Sequence, residues 1–268
     1  MTSNAVDHSI AGWRACGASI QGGSHVRADL PCQDANATRS LKNEAGEVLL
    51  VAVADGAGSA SRGAEGAALM VRGLADRCVG VVESSPGRAS GDLKEVIEGL
   101  REDLLVLAAS SEVPLREFAC TVLCAVLHPE WSVFAQIGDG AIVVPEDGTD
   151  QWNWVFWPQR GEYANTTQFI TDGNAMEELQ IDVLPHRVSE IALFTDGIQH
   201  LVLHYETQQV HSPFFESMLG PLRAVSAPGR DKRLDDSLAT YLSSPAIQAK
   251  ADDDLTLLLA SRGSTESS

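Results

Sequence analysis

Basic side chains are scarce in this sequence: 19 Lys and Arg face 37 Asp and Glu, a formal charge of −18. That balance argues against a basic face that would hold nucleic acid. Cysteine is sparse too. Cys16, Cys32, Cys78, Cys120 and Cys124 are odd in number and form no C-x-x-C pair. They read as small buried hydrophobes rather than as a disulfide framework or a zinc site. No apolar run approaches membrane-spanning length, and the N-terminus shows no basic-then-apolar signal pattern. A reducing cytoplasm is therefore the expected location, with no membrane partner. Three catalytic signatures are missing as well. The glycines of Gly56–Gly66 lack the lysine of a P-loop, because Ala64 follows Gly63. His200 and His204 have the spacing of a helical metal pair but no H-E-x-x-H glutamate, and read as ordinary histidines. A serine-hydrolase G-x-S-x-G elbow is absent.

What is present is a substantial core. Apolar residues make up 44% of the 268, which suits one domain over residues 1–268, with flexible polar ends at 1–8 and 262–268. Apolar runs with strand character recur at Val48–Ala54, Thr121–Leu127, Trp131–Ile137, Ile142–Val144, Ile191–Phe194 and Leu255–Ala260. Val48–Ala54 is apolar throughout, as in a strand covered on both faces, and Trp131–Ile137 alternates with period two. His128-Pro129-Glu130 reads as a hairpin turn. Leu93, Val96, Ile97, Leu100, Leu104 and Leu107 form a helical stripe. Ala60–Val79 and Arg233–Leu242 are expected to be helical too, and Pro86-Gly87 to separate the first two helices. Strands, a helical pair, more strands, then a helix and a strand predict an α+β fold. Its form would be a four-layer α-β-β-α sandwich of two antiparallel sheets flanked by helices. Residues 145–165 differ in texture, with Trp152, Trp154, Phe156, Trp157 and Tyr163 among turn residues. They read as a hydrophobic strand packed on the body, and also as a flap beside a site.

The informative pattern is where aspartates fall. Val51–Ala54 runs into Asp55-Gly56, Ile137 into Gly138-Asp139-Gly140, and Ala192–Thr195 into Asp196-Gly197, while Asp252-Asp253-Asp254 opens the last strand. A carboxylate at a strand end is held by rigid backbone with its head at the sheet rim, and a neighbouring glycine lets main chain approach. Antiparallel pairing sets one strand's start beside its neighbour's end, so these groups can converge. The acidic excess is either a solubilising surface or a collector of divalent cations, and composition alone does not separate the two. Clustered carboxylates stay ionised only if cations offset them, and all-oxygen ligands select Mg²⁺ or Mn²⁺ over zinc.

Taken in order, these motifs resemble those of the PPM (type 2C) metal-dependent serine/threonine protein phosphatases. Gln33-Asp34-Ala35 is similar to the early acidic motif, Asp55-Gly56-Ala57-Gly58 to D-G-x-G, and Gly138-Asp139 to the start of G-D-S-R. Ala192–Ile198 resembles the S-D-G motif and Asp253-Asp254-Leu255-Thr256 the closing D-N-x-[ST]. Ser24-His25 before Pro31–Ala35, and Gly161–Asn165 with Thr167–Thr171, resemble a bacterial subgroup. The resemblance implies two tightly held ions, Mn²⁺ or Mg²⁺, and a third, looser one. Asp55 would bridge the pair and the Gly56 carbonyl would bind one ion. Asp196 and Asp253 would complete the other, and Asp34 would act at or just outside the second through water. Asp139 fits the third position. It implies that a water shared by the ions attacks phosphorus in line, so Asp55, Asp196 and Asp253 carry catalysis without a phosphoenzyme. The implied partner is a phosphorylated protein, opposite a serine/threonine kinase. A phosphatase-like regulatory module without turnover is the rival reading. The sequence also departs from the pattern: Gln33 replaces Glu, Gly140-Ala141 replace S-R, and Asp254 stands for Asn. His200 occupies the third-metal partner position, Ala57 replaces a histidine, and Asp29 sits where an arginine is usual. The phosphate grip is therefore expected from Arg27 first, then His25, then Arg62.

Overall fold

The computed structural model describes residues 12–159 and 167–262. One sheet has the order β12 (Gly229–Arg230), β1 (Trp13–Ile20), β13 (Leu255–Arg262), β9 (Glu190–Phe194), β6 (Ala141–Pro145), β7 (Trp152–Phe156). The other runs β2 (Ala35–Asn43), β3 (Gly46–Ala54), β4 (Val122–Leu127), β5 (Ser132–Ile137), β8 (Gln180–Leu184). A small hairpin pairs β10 (Leu203–His204) with β11 (Gln209–Val210). The helices are α1 (Gly23–Ala28), α2 (Gly63–Arg77), α3 (Val79–Val82), α4 (Pro86–Ser110), α5 (Ala175–Glu178), α6 (Gln199–Val202), α7 (Ser212–Arg223), α8 (Lys232–Leu242) and α9 (Pro245–Gln248).

Strand periodicity explains the layering. Along β3, Val48, Leu50, Ala52 and Ala54 join the cluster under α2 and α4, while Leu49, Val51 and Val53 point between the sheets. Along β13, Leu255, Leu257 and Leu259 pack toward α7 and α8, and Leu258 and Ala260 fill the space between the sheets. Both strands are buried on two faces, as the unbroken apolar run of β3 and the leucine-rich run of β13 predict. The expected α-β-β-α sandwich results. In α4 the stripe Leu93, Ile97, Leu100 and Leu104 is fully buried, each side chain contributing roughly 1.5–3 kcal/mol of burial. Pro86 opens this helix, where a missing N–H costs nothing. The β4–β5 hairpin closes with His128 N–H donating to the Trp131 carbonyl at 2.9 Å. All five cysteines are free thiols, and Cys120 and Cys124 lie on one face, among the residues under α2 and α4.

Three features depart from expectation. The sheets are not wholly antiparallel, because β12 pairs parallel to β1 (Arg14↔Gly229). A parallel pair needs a crossover, and here α7 carries the chain over the sheet before the two-residue strand forms. Helix α2 begins at Gly63 rather than Ala60. Ala57 N–H donates to the Ala119 carbonyl at 2.9 Å and Arg62 N–H to Glu117 at 2.8 Å, which holds 57–62 as a loop. Strands β1 and β2 and helix α7 carried no readable period. β2 is a half-buried edge strand holding Arg39 and Lys42, and α7 contains Pro213 and Pro221. Within 145–165, β7 pairs with β6 and Trp152 stacks on Phe215 at 5.2 Å. Tyr163 and the rest of Gly161–Asn165 lie outside the described residues, as do 1–8 and 263–268, while Arg262 ends β13. No described helix is long and apolar enough to cross a membrane.

Candidate metal centre

The acidic strand ends meet at one rim of the sandwich. Ala35 pairs with Ala54, so Asp34 before β2 sits beside Asp55 after β3. In the facing sheet Leu257 pairs with Phe194, which brings Asp253 near Asp196. Asp139 lies in the turn between β5 and β6, where the chain passes from one sheet to the other. One carboxylate oxygen each from Asp55, Asp139 and Asp196 falls within 4.8 Å of the others. Asp253, exposed at the rim, groups at the same distance with His25 and Asp254.

Backbone and hydroxyl contacts hold these carboxylates in place. Asp55 N–H donates to Thr121 Oγ1 at 2.9 Å, and Thr121 N–H returns a bond to the Asp55 carbonyl at 2.8 Å. Gly56 N–H donates to the Gln33 carbonyl at 3.2 Å, tying the two acidic loops of this sheet together. A Cβ on Gly56 would lie 2.5 Å from the Gly63 carbonyl carbon, so only glycine fits. Thr195 Oγ1 donates to Asp34 Oδ2 at 2.8 Å and accepts from Thr256 N–H at 3.0 Å, a link between the sheets. Thr167 Oγ1 donates to Asp139 Oδ2 at 2.5 Å. Thr121, Thr167, Thr195 and Thr256 were not assigned roles from sequence. Thr167, Thr195 and Thr256 sat inside the quoted motifs, and for Thr195 and Thr256 the position near a strand end was the available signal.

Burial works against ionisation here. It pushes Asp55 well above the usual carboxylate range, and the charges of Asp34, Asp196, Asp253 and Asp139 push further. Burial raises Asp196 to about 8, helped by Asp139, Asp253 and Asp34 and opposed by a hydrogen bond with Asp55. Asp34 is pushed up to about 7, mainly by burial, against hydrogen bonds from Thr256 and Thr195. Asp139 is raised by burial, with Thr167 opposing. Asp34 Oδ1 and Asp196 Oδ1 are buried without a hydrogen-bond partner among the described residues. Orphaned carboxylate oxygens cost free energy unless a cation or proton meets them. An all-oxygen donor set of this charge therefore fits hard divalent ions.

The candidate phosphate groups each hold a partner of their own. Arg27, in the last turn of α1, pairs with Asp252 at 2.6 Å, both side chains largely exposed. Asp29 closes α1 in the left-handed region at φ 55°. His25 is buried with Nδ1 2.8 Å from Asp254 Oδ2, and its Nε2 faces Gly58 of the D-G-x-G loop. Arg62 pairs with Glu65 at 2.6 Å and stacks over Phe118. Asp254, at the position where Asn was the expected residue, also accepts from Gly22 N–H at 2.7 Å and Gln33 N–H at 2.6 Å. It anchors the segment that carries Asp34. His200 is exposed and tilts against Tyr205 rather than joining Asp139, while His204 lies on β10 against His211.

Residues 21–243 match the sequence profile of the family described as protein phosphatase 2C. Serine/threonine-protein phosphatase 3 of Escherichia coli (strain K12) is 39% identical over 250 residues, covering 92% of this chain and 98% of that protein. The structure of the S. agalactiae serine/threonine phosphatase superposes with a TM-score of 0.65 at 16% identity, over 93% of this chain and 99% of that one. The catalytic domain of the serine/threonine protein phosphatase PstP, solved with two manganese ions, gives 0.62 at 15% identity, over 95% and 100%.

Proposed function

Since this chain belongs to the protein phosphatase 2C family, we propose that it hydrolyses phosphoserine and phosphothreonine on proteins with Mn²⁺ or Mg²⁺ bound at the acidic rim. The observation that supports this best is the convergence of Asp34, Asp55, Asp139, Asp196 and Asp253, two of them with buried unpartnered oxygens. Asp55 and the Gly56 carbonyl would hold the tight pair together with Asp196 and Asp253. Asp34, fixed by Thr195, would act beside them through water, and Asp139 would hold a third, looser ion. When bound, the ions lower the proton affinity of a water and offset charge on the phosphoryl oxygens.

The chain's own contribution is to keep these oxygens rigid, with Thr121, Thr195 and Thr256 absorbing the cost of aligning them. Ala57 offers no proton donor beside Asp55-Gly56, so the leaving-group proton comes from water. Arg27 grips the phosphate. Its pair with Asp252 is exposed on both sides and so worth at most ~1 kcal/mol, which a dianionic substrate readily displaces. Arg27→Ala is expected to raise KM and lower kcat/KM roughly 10-fold while Mn²⁺ affinity is unchanged, with lysine restoring only part. Unchanged steady-state kinetics would move the role to His25 or Arg62. Trp154 on β7 and Trp157 just after it form a partly exposed aromatic face for the phosphoprotein. The natural counterpart is a serine/threonine kinase acting on the same protein in the cytoplasm.

The deciding experiment is hydrolysis of an aryl phosphate after stripping with EDTA, followed by addition of Mn²⁺ or Mg²⁺. Activity is expected to disappear and return. Full turnover in verified metal-free protein would end the two-metal reading, and tight Mn²⁺ binding without turnover would favour a regulatory module.

A further inference from the structure

The loop that carries Asp139 is flanked by two glycines, and Asp139 is its one side chain, accepting from Thr167. Gly138 adopts φ +112°, and a Cβ on Gly140 would meet Leu123 Cδ1 at 2.6 Å and the Phe194 carbonyl oxygen at 2.7 Å. Three glutamine side chains grip the main chain as well. Gln136, fully buried on β5, donates to the Gly140 carbonyl at 3.2 Å. Gln159 Oε1 accepts from Gly138 N–H at 2.7 Å, and its Nε2 donates to the Glu178 carbonyl at 2.7 Å. Gln199 Nε2 donates to the carbonyl of Asp139 itself, and Tyr205 Oη–H donates to Gln199 Oε1.

Gln199 differs from the other two in where it comes from. It opens α6 three residues after Asp196 and is buried, so one side chain ties the Asp196 loop to the Asp139 loop. Tyr205, in the turn between β10 and β11, packs edge-on against Trp157 at 5.5 Å, and Trp157 packs against Trp154 at 5.8 Å. A continuous set of contacts therefore runs from Trp154 on β7 to the main chain of Asp139. We infer that Gln199 is a positioning residue for Asp139, locked by Tyr205, and that it governs the loosely held ion without touching the tight pair. The inference rests on the assignment of Asp139 to that third ion.

An amide and a carboxylate of the same shape separate a hydrogen-bond role from mere space filling. Gln199→Glu keeps the volume and an acceptor for Tyr205 but has no N–H for the Asp139 carbonyl, so two acceptors would oppose. Mn²⁺ titration calorimetry on EDTA-stripped wild type, Asp139→Ala, Gln199→Ala, Gln199→Glu and Tyr205→Phe reads the ions directly, apart from activity. Both Gln199 variants are expected to weaken the loose class roughly 10-fold to 100-fold and leave two tight ions in place, since residues behind metal ligands typically carry that much. Tyr205→Phe keeps the ring on Trp157 and should shift the same class in the same direction by less. It decides the matter alone if the Gln199 variants do not fold. Wild-type binding in Gln199→Ala, with the loose class lost in Asp139→Ala, would overturn the inference and spare the Asp139 assignment. A loose class that survives Asp139→Ala would overturn both. Equal weakening of tight and loose ions in Gln199→Ala would show a general structural role and overturn the inference.

Discussion

Asp55→Ala is expected to lower kcat/KM at least ~100-fold, or about 2.7 kcal/mol of transition-state stabilisation, because its carboxylate is the proposed bridge between the tight ions. Asp196→Ala and Asp253→Ala should lose activity on the same scale. The stability of the metal-free protein should move the other way. Asp55 is buried among Asp34, Asp196, Asp253 and Asp139, and its ionised form is disfavoured by burial and by those charges. Removing it relieves repulsion, so calorimetry in EDTA at pH 8 should show Asp55→Ala melting no lower than wild type. Activity lost together with a large drop in Tm would mean that Asp55 holds the fold rather than the chemistry. Wild-type rates in all three variants would remove the acidic rim from catalysis.

The second large effect is the pH dependence of metal stabilisation. In the metal-free fold Asp34 sits at about 7, Asp196 at about 8, and Asp55 well above its ordinary value. Unfolded aspartates titrate near ~3.9. The folded values are raised, so their stabilising contribution is complete below ~4 and is lost as pH climbs through the folded values. Metal-free protein should therefore be less stable at pH 8 than at pH 6. Ion binding needs the deprotonated ligands and has the opposite slope. At a hundred times Kd an ion adds about 2.7 kcal/mol, and near 250 residues that is roughly 5–10 °C in Tm. The gap between Mn²⁺ and EDTA melting curves should be small at pH 5.5 and approach that size at pH 8. A gap that stays constant with pH, or EDTA protein that gains stability up to pH 8, would contradict the buried acidic cluster.

Sequence periodicity determined the layers. Val48–Ala54 is apolar at every position and Leu255–Ala260 at every position but Thr256, and an extended chain with apolar side chains on both faces must then be covered on both. The stripe from Leu93 to Leu107 likewise leaves a helix one face to bury. That Asp55, Asp139 and Asp196 stand at one rim was legible for a similarly local reason, since aspartate beside glycine recurs where their strands end. Edge strand β2, the proline-bearing α7 and the parallel β12 were hidden, because mixed burial or short length erases the period.

Only the tertiary structure decided how those ends combine. Antiparallel register joins Asp34 to Asp55 and Asp196 to Asp253, yet the two pairs meet because two sheets stack with these ends at the same rim. Local sequence carries no information on that stacking. It also could not show that Asp254 anchors Gly22, Gln33 and His25, or that Arg27 rests on Asp252. The same holds for Gln199, sixty residues beyond Asp139 in the chain yet bonded to its carbonyl. Periodicity is a property of neighbours along the chain and fixes which side chains are buried. The pairing of distant polar groups depends on where whole elements come to rest, and that is set by packing of the assembled core.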